Sequence, residues 1–360
     1  MRTRLTELFG IEHPIIQAPM AGGPSTPELV TAVSQAGGLG CFGFAYTRPD
    51  DMRRQVEQVR AATDRPFGIN LFVEPEPPEP GDDAKAAAIK ALNPWWNDLH
   101  VEEPKDVRKP YSPDFTAQVE AVLAIRPAVF TGHFHPLSRD VVTAFQAVGV
   151  KVGGSATTVE EARVLAATGV DFVIAQGAEA GGHRGRSLPT EEEGVGTFAL
   201  TRRIVAAIGE RVPVVAAGGI MDGAGVAAAL ALGADAAQLG TAFVGCPESG
   251  APEPHKQAVL AAGDRPAVMT AAFSGRLARG LVNRFTRGMA DAPILPFPIQ
   301  NKLTAPLRAA GAKAGEGEAM SLWAGQAVGL ARGLPAGELV RLIVAETQQA
   351  MDRLRTIQDS

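Results

Sequence analysis

The sequence predicts an α/β protein built on a TIM (β/α)8 barrel. Eight short apolar runs alternate with alanine-rich stretches of helical character, and 360 residues are enough for one large barrel and a smaller second domain. The alternation recurs roughly every 20 to 45 residues, as parallel βα units do. In such a barrel, functional groups lie on the loops that follow the C-terminal ends of the strands.

The predicted strands are nearly continuous in apolar character, as strands buried on both faces should be. They cover residues 15–20, 39–44, 67–72, 128–132, 152–156, 172–176, 214–217 and 236–240. An open doubly wound sheet is the alternative. No predicted strand leads into a G-x-G-x-x-G motif that opens a helix, so the dinucleotide fingerprint of that alternative is missing.

The predicted helices fill the intervals between these strands. They cover residues 27–36, 50–62, 138–148, 159–168, 201–208 and 223–232. Thr158 and Glu161 have the spacing of a capping box, and Ser138 and Asp222 are expected N-caps.

Two regions interrupt the alternation of predicted strands and helices. Residues 74–113 begin with a run of proline and acidic residues and hold a helical piece ending at Trp95-Trp96, which is too long for an ordinary βα loop. We therefore expect an insertion or lid at 74–113 and a barrel formed by 1–73 and 114–250. Strand alternation is lost after residue 243, which predicts a smaller substrate-side domain at 251–335 and a C-terminal helix at 336–360.

Composition excludes several classes of protein. The net charge of −5, from 34 basic and 39 acidic side chains, gives no basic footprint for nucleic acid. Cys41 and Cys246 lie in no disulfide or zinc pattern, which suits a reducing cytoplasm. The N-terminal residues lack an apolar leader core, and no segment approaches an uncharged membrane span. We expect a cytoplasmic protein that binds neither nucleic acid nor membrane.

The most informative stretch is residues 175–185, where an apolar run ends in glycines and then presents His183. Gly177, Gly181 and Gly182 are expected to let the backbone approach a bound ring or phosphate closely. His183 is the first candidate for catalysis. The alternative is an ordinary loop histidine after a glycine turn.

Two glycine-containing loops follow the seventh and eighth predicted strands, where TIM barrels commonly bind phosphate. They contain Gly218 and Gly219 in the first loop, and Gln238, Leu239, Gly240 and Thr241 in the second. Their amides could donate to phosphate oxygens, and the helix N-terminus at Asp222 would add a favourable dipole. Each glycine pair alone is compatible with an ordinary turn, but the two together favour a phosphate.

Polar side chains near the strand ends favour a flavin over a sugar phosphate. Asn70 and Gln176 are amides placed where burial demands partners, although neighbouring backbone could also satisfy them. Met20 could pack against a ring or simply fill the core. His133 is a candidate substrate contact, and its spacing to His135 does not suit a metal site, so no metal is expected.

Taken together, these motifs resemble the nitronate monooxygenases, formerly called 2-nitropropane dioxygenases, and the proline-rich stretch before Trp95 resembles the class I branch. The motifs are residues 17–23, 66–72, 155–158, 176–185, 217–220, 238–241 and 273–280.

The resemblance implies an FMN enzyme that oxidises alkyl nitronates with O2 to carbonyl compounds and nitrite, without reduced nicotinamide. Nitroalkanes are further candidate substrates, and we expect a monomer or a homodimer. By motif position, FMN would be held by Asn70, Gln176, Gly181, Gly219 and residues 238–241. His183 would be catalytic, since a neutral imidazole suits removal of an α-proton.

Two other functions stay open on the sequence alone. NADH:quinone reductases and flavin-dependent enoyl reductases share the scaffold, the first motif and the Ala-Gly-Gly loop, and fold does not decide the reaction. A flavin-binding protein without turnover is the second alternative, against which His183 and the long insertion argue.

Overall fold

The computed structural model describes residues 1–188 and 194–358 of the chain. The strands are β1 (Ile15–Gln17), β2 (Gly40–Gly43), β3 (Phe67–Val73), β4 (Val129–Phe134), β5 (Lys151–Ala156), β6 (Phe172–Gln176), β7 (Gly182–His183), β8 (Val214–Ala217), β9 (Ala236–Leu239), β10 (Ala267–Thr270) and β11 (Ala278–Leu281). The helices are α1 (Arg4–Phe9), α2 (Pro27–Gln35), α3 (Pro49–Ala62), α4 (Asp82–Ala91), α5 (Asn93–Asp98), α6 (Phe115–Ile125), α7 (Arg139–Ala147), α8 (Val159–Thr168), α9 (Thr197–Ile208), α10 (Gly223–Ala231), α11 (Thr241–Val244), α12 (Glu253–Leu260), α13 (Arg284–Gly288), α14 (Ile299–Ala314) and α15 (Ala336–Gln358), with short 3-10 helices at Gly317–Ala319 and Val328–Leu330.

Eight parallel strands form the predicted TIM barrel. Their order is β1-β9-β8-β6-β5-β4-β3-β2, and a parallel bridge between Ile16 and Leu39 joins the first and last strands. The fold prediction is confirmed. Two strand ends differ from it by more than one residue, because β1 stops at Gln17 and β4 continues through His133 to Phe134.

The first helix covers the N-terminal end of the barrel. Leu5 and Phe9 of α1 are buried among interior strand residues, and the Phe9 ring meets the Phe172 ring edge-on with centroids 4.9 Å apart. Phe172 and Val129 begin their strands, so this contact closes the bottom of the barrel. The opposite end stays available for a site.

The helix caps follow the sequence with one correction. Ser138, Thr158 and Asp222 each accept a main-chain hydrogen bond at their helix N-termini, as expected. The capping box of Thr158 and Glu161 is wrong in its second half. The buried Glu161 carboxylate accepts instead from Thr157 and from the main chain of Ser187, so it ties the segment after β7 to the barrel.

The insertion 74–113 and the segment 251–335, together called the cap below, share one apolar core. Trp95 and Trp96 from the insertion pack with Phe273, Phe285 and Leu303 from the segment. The Trp95 and Phe285 ring centroids are 4.8 Å apart. The proline-rich insertion is therefore held by the same apolar contacts that order the segment.

The cap also contributes a small antiparallel sheet that the sequence analysis missed. Its order is β10-β11-β7, and Ala278 of β11 pairs with His183 of β7. The expectation that alternation ends after residue 243 is therefore wrong for residues 267–270 and 278–281. These four-residue strands are too short and too mixed in character for a period-two pattern to show.

The last helix returns to the barrel. Leu339, Val340 and Ile343 of α15 are buried in the core that α2 and α10 share with β1 and β9. Gly223 of α10 permits this close approach, since a Cβ there would lie 2.2 Å from the main-chain nitrogen of Thr347. None of the described helices is both long and apolar enough to cross a membrane.

Candidate active site

The C-terminal ends of the barrel strands open into a cavity of about 820 Å³ that the cap covers in part. A volume of this size is typical of sites for cofactors and other small molecules. The predicted site residues that line it are Met20, Asn70, His133, Gln176, Gly181, Gly182, His183, Gly218, Gly219, Gln238, Gly240 and Thr241. Leu239 is absent from the lining, because its side chain is fully buried in the core beneath α10 and α15.

His183 is positioned by the small sheet of the cap. It is the second residue of β7 and pairs with β11, and its ring lies 5.6–5.8 Å from the rings of Phe297 and Trp323. Burial, followed by the positive charges around it, lowers the pKa of His183 to about 3. The imidazole is therefore neutral near pH 7.

One ring nitrogen of His183 has a fixed partner. Its Nε2 lies 2.9 Å from the hydroxyl oxygen of Ser274, a buried residue in the turn between β10 and β11. The sequence analysis placed Ser274 in a family motif but gave it no role. The other nitrogen, Nδ1, has no hydrogen-bond partner among the described residues and is not sealed off, since it is absent from the buried unpaired atoms.

His133 stands beside His183 but points its ring nitrogens at protein atoms. Its Nε2 lies 3.2 Å from the carbonyl oxygen of His183, and its Nδ1 lies 2.9 Å from the hydroxyl of Ser155. Burial lowers the pKa of His133 to about 4. With both nitrogens engaged, His133 supports the backbone of His183. No set of three or more His, Cys, Asp or Glu side chains in the described ranges is placed to hold a metal.

The two predicted amides differ in what they leave free. Gln176 donates to the carbonyl oxygen of His183 at 3.0 Å and accepts from the main chain of Gly185 at 2.7 Å. This matches the alternative in which neighbouring backbone satisfies the buried amide. Asn70 donates both to the carbonyl oxygen and to the hydroxyl of Thr131. Its side-chain carbonyl oxygen, Oδ1, has no partner among the described residues, so it can accept a hydrogen bond from a ligand.

The glycine loop after β8 has the predicted character, but the helix behind it does not. Gly218 and Gly219 have φ of +117° and +69°, and the amide of Gly219 donates to no acceptor in the described ranges. The expected help from the N-terminus of α10 is wrong. Its first amides already donate to carboxylates, Gly223 to Glu346 and Gly225 to Asp222.

The loop after β9 adds further main-chain donors. The amides of Gly240 and Thr241 also have no acceptor in the part of the chain that the structure describes. The Thr241 hydroxyl accepts from the amide of Gly325 at 2.9 Å, so the barrel loop is joined to the cap there. Together with Gly219, these amides form a group of donors that suits one phosphate.

Two glycines before His183 are required by packing. A Cβ on Gly177 would lie 2.5 Å from the main chain of Thr197, and one on Gly181 would lie 2.6 Å from the main chain of Ala324 and Gly325. Gly181 also lines the cavity, and the close approach of its backbone to a ligand stays a prediction. Gly182 differs, since it has open space and a φ of +73° that favours glycine.

Met20 packs in the core, as one alternative for it expected, and its contact with a ring stays a prediction. Its side chain packs against two core clusters and also lines the cavity.

The cap supplies cavity residues that the sequence analysis missed. Arg308 of α14 lines the cavity, and its guanidinium donates to the main chain and side chain of Asn301 while facing no carboxylate in the described ranges. Its Nε and the hydroxyl of Tyr46 are buried polar atoms without partners. A cation left without a counter-charge indicates an anionic ligand. Only folding reveals this, because the residues come from distant segments.

The chain is similar to proteins named nitronate monooxygenase and nitroalkane oxidase. A family model described as nitronate monooxygenase matches residues 2–346. The nitronate monooxygenase of Paraburkholderia phytofirmans is 44% identical over 360 residues, covering 98% of this chain and 96% of that protein. A solved structure of nitroalkane oxidase from Streptomyces ansochromogenes is 42% identical, covers 97% and 99% of the two chains and has a TM-score of 0.90.

A more distant solved structure also spans the whole chain. FabK from Thermotoga maritima is 30% identical, covers 99% of both chains and has a TM-score of 0.77. The family model and the full-length relative agree with the motifs around the cavity. The chain therefore belongs to the nitronate monooxygenase family of oxidoreductases.

Proposed function

We propose that this protein is an FMN-dependent nitronate monooxygenase that uses O2 to convert alkyl nitronates to carbonyl compounds and nitrite, with neutral nitroalkanes as further substrates. The class I assignment remains a prediction from the proline-rich insertion. Family membership supports oxidation of nitro compounds in general, and the geometry of the cavity supports the finer assignment.

One observation carries the proposal: a neutral imidazole and an uncompensated guanidinium line the same apolar cavity. His183 can accept the α-proton of a neutral nitroalkane, and Arg308 can hold the negative charge of a nitronate. The positive charge of Arg308 is one cause of the lowered pKa of His183, so the two groups act on the same space.

The residues present also fit FMN. The free carbonyl oxygen of Asn70 suits an N–H of a flavin ring, and the amides of Gly219, Gly240 and Thr241 suit a single phosphate. No dinucleotide fingerprint follows any strand, so FMN fits better than FAD. When bound, the flavin would supply the two-electron redox chemistry that links the nitro compound to O2.

The protein's own part is binding, orientation and proton handling. Phe297 and Trp323 place apolar rings next to the His183 ring, and Arg308 favours an anion in the same cavity. A substrate supplied as the nitronate needs no deprotonation, whereas a neutral nitroalkane needs His183 as a base.

An NAD(P)H-dependent flavin quinone or enoyl reductase is the second candidate, because the first motif and the Ala-Gly-Gly loop of this chain also resemble those enzymes. The two functions differ in what reduces the flavin. We expect nitronate to bleach the flavin absorbance anaerobically in a stopped-flow experiment, and NADH to do so negligibly. Fast reduction by NADH, coupled to quinone or enoyl turnover, would overturn the proposal.

A steady-state assay complements this experiment. Nitrite release from propionate 3-nitronate should be rapid in air and unchanged by added NADH. A protein that binds flavin but releases no nitrite from any nitronate would have a different function.

A further inference from the structure

We infer that Ser274 is a positioning residue that fixes the tautomer of His183, so that Nδ1 is the nitrogen that faces the substrate and removes its proton. The inference rests on the proposed function for the identity of the substrate. The tautomer itself rests only on hydrogen-bond geometry.

The Ser274 hydroxyl has one hydrogen and two neighbours that compete for it. Its oxygen lies 3.0 Å from the carbonyl oxygen of Arg276 and 2.9 Å from Nε2 of His183. A carbonyl oxygen can only accept, and no other donor in the described ranges reaches that of Arg276, so we assign the hydroxyl hydrogen to this contact. The oxygen then accepts from His183, which requires a proton on Nε2. The amide of Arg276 donates to the same oxygen at 3.3 Å and uses its remaining lone pair.

A neutral imidazole carries one N–H, so a proton on Nε2 leaves a lone pair on Nδ1. Nδ1 of His183 has no partner among the described residues, and its ring lines the cavity. Nδ1 is therefore the ring atom that can remove an α-hydrogen as a proton. In this step the C–H bond breaks, an N–H bond forms at Nδ1, and the electron pair moves into the nitro group to give the nitronate.

The same hydrogen-bond rules apply to the neighbouring His133, and they show that it cannot replace His183 as the base. Nε2 of His133 lies against the carbonyl oxygen of His183, so it must donate, and Nδ1 then accepts from the hydroxyl of Ser155. Both nitrogens of His133 are used by protein atoms. His183 is thus the histidine of the pair with a free basic nitrogen.

Selective ¹⁵N labelling of histidine tests the tautomer directly. Two-bond ¹H–¹⁵N correlation spectra of the purified protein should show His183 protonated at Nε2, with the signal assigned by its loss in His183→Asn. A proton on Nδ1 in the wild-type protein would overturn the inference. If the Nε2 proton is found but no nitro compound is turned over, the proposed function fails and the tautomer assignment stands.

Ser274→Ala tests the consequence for turnover. Without its acceptor, a buried Nε2–H loses about 1–3 kcal/mol, and the proton should move to Nδ1. We expect kcat/KM for a neutral nitroalkane to fall by about 5- to 150-fold, the range that corresponds to this loss at about 1.36 kcal/mol per tenfold. Turnover of the preformed nitronate, which needs no C–H cleavage, should be retained.

Two further variants separate positioning from folding. Ser274→Thr keeps a hydroxyl and should retain both the tautomer and nitroalkane turnover. Thr304→Val removes another buried hydroxyl that donates to the same turn at Phe273, and should leave the nitroalkane-to-nitronate activity ratio unchanged. Equal loss in Thr304→Val, or loss on both substrates in Ser274→Ala, would reduce Ser274 to a structural residue.

Discussion

The two walls of the cavity have opposite chemistry. The barrel wall presents main-chain amides and amide side chains at the strand ends, as at Gly219, Thr241 and Asn70. The cap wall presents aromatic rings and a cation, as at Trp323 and Arg308. We infer that the barrel wall holds the cofactor and the cap wall selects the substrate.

His183 lies where the walls meet. It follows β6 of the barrel in sequence, but its strand pairs with β11 of the cap. A side chain in this position contacts both the proposed cofactor side and the proposed substrate side of the cavity. Variants of each wall should therefore fail in different ways.

Gly219→Asp should have the largest effect, because it acts on every substrate through the cofactor. The substitution places a carboxylate in the expected phosphate loop and forces a side chain into a φ of +69°. Loss of one hydrogen bond to a charged phosphate costs about 1.5–3 kcal/mol, so we expect FMN binding to weaken by about 10- to 150-fold. Mass spectrometry of the released ligand and visible spectra measure this.

Gly149→Asp is the matched control. Gly149 also has a positive φ, of +84°, and open space around it, but it follows α7 away from the cavity. The Gly149→Asp variant should lose thermal stability through a similar strain at its positive φ, and it should still bind flavin. If both variants bind FMN equally, or if the ligand is FAD, the barrel wall has been assigned the wrong cofactor site.

His183→Asn should have the next largest effect and should separate the two substrates. Asparagine keeps a polar side chain of similar reach but cannot act as a base. Turnover of neutral nitroalkane should fall by roughly 10²- to 10⁴-fold, the usual range for general-base catalysis, while FMN and much of the nitronate turnover remain. Nitrite release from matched nitroalkane and nitronate measures both.

Equal losses on the two substrates would change the role of His183 from base to orienting group. A wild-type protein that ignores neutral nitroalkanes would leave only the handling of nitronate. Full activity of the variant on both substrates would exclude His183 from the mechanism.

The contrast between the walls also explains what the sequence could predict. Barrel strands are buried on both faces, so their apolar runs stand out locally, and each site residue lies within a few positions of a strand end. The placement of Asn70, Gln176 and Gly219 at strand ends could be predicted in this way, and all three line the cavity.

The cap wall has no such local signal. Ser274 reaches His183 across 91 positions of sequence, and Arg308 faces the cavity from the middle of a helix that also carries exposed residues. Glu161 has the local spacing of a capping box with Thr158, but its carboxylate accepts hydrogen bonds from the distant main-chain amides of residues 187 and 188. Contacts of this kind depend on the packed structure rather than on local sequence.

Arg308→Met should have a smaller effect, confined to the substrate. Removal of the cation should raise the KM for nitronate by about 10- to 100-fold, equivalent to the 1.5–3 kcal/mol of a charged hydrogen bond, with little change in FMN binding. Lys313→Met is the control, since it removes an exposed cation from the same helix. An unchanged KM in Arg308→Met would show that the cap cation does not select the anion.

The smallest expected effect is that of pH on neutral-nitroalkane turnover. Burial and neighbouring cations lower the pKa of His183 to about 3, so the base should stay unprotonated between pH 8 and 5.5, and its ionisation should change kcat/KM by less than about twofold. An ordinary histidine with a pKa near 6.5 would be mostly protonated at pH 5.5, and kcat/KM would fall by about tenfold over the same range.

The assay needs a parallel thermal melt at each pH. Because the pKa of His183 is lower in the folded than in the unfolded chain, the unfolded chain binds more protons below about pH 6.5, and stability should decline as the pH falls. A tenfold acid loss without unfolding would mean that His183 is exposed to water and that the aromatic cap wall does not enclose it.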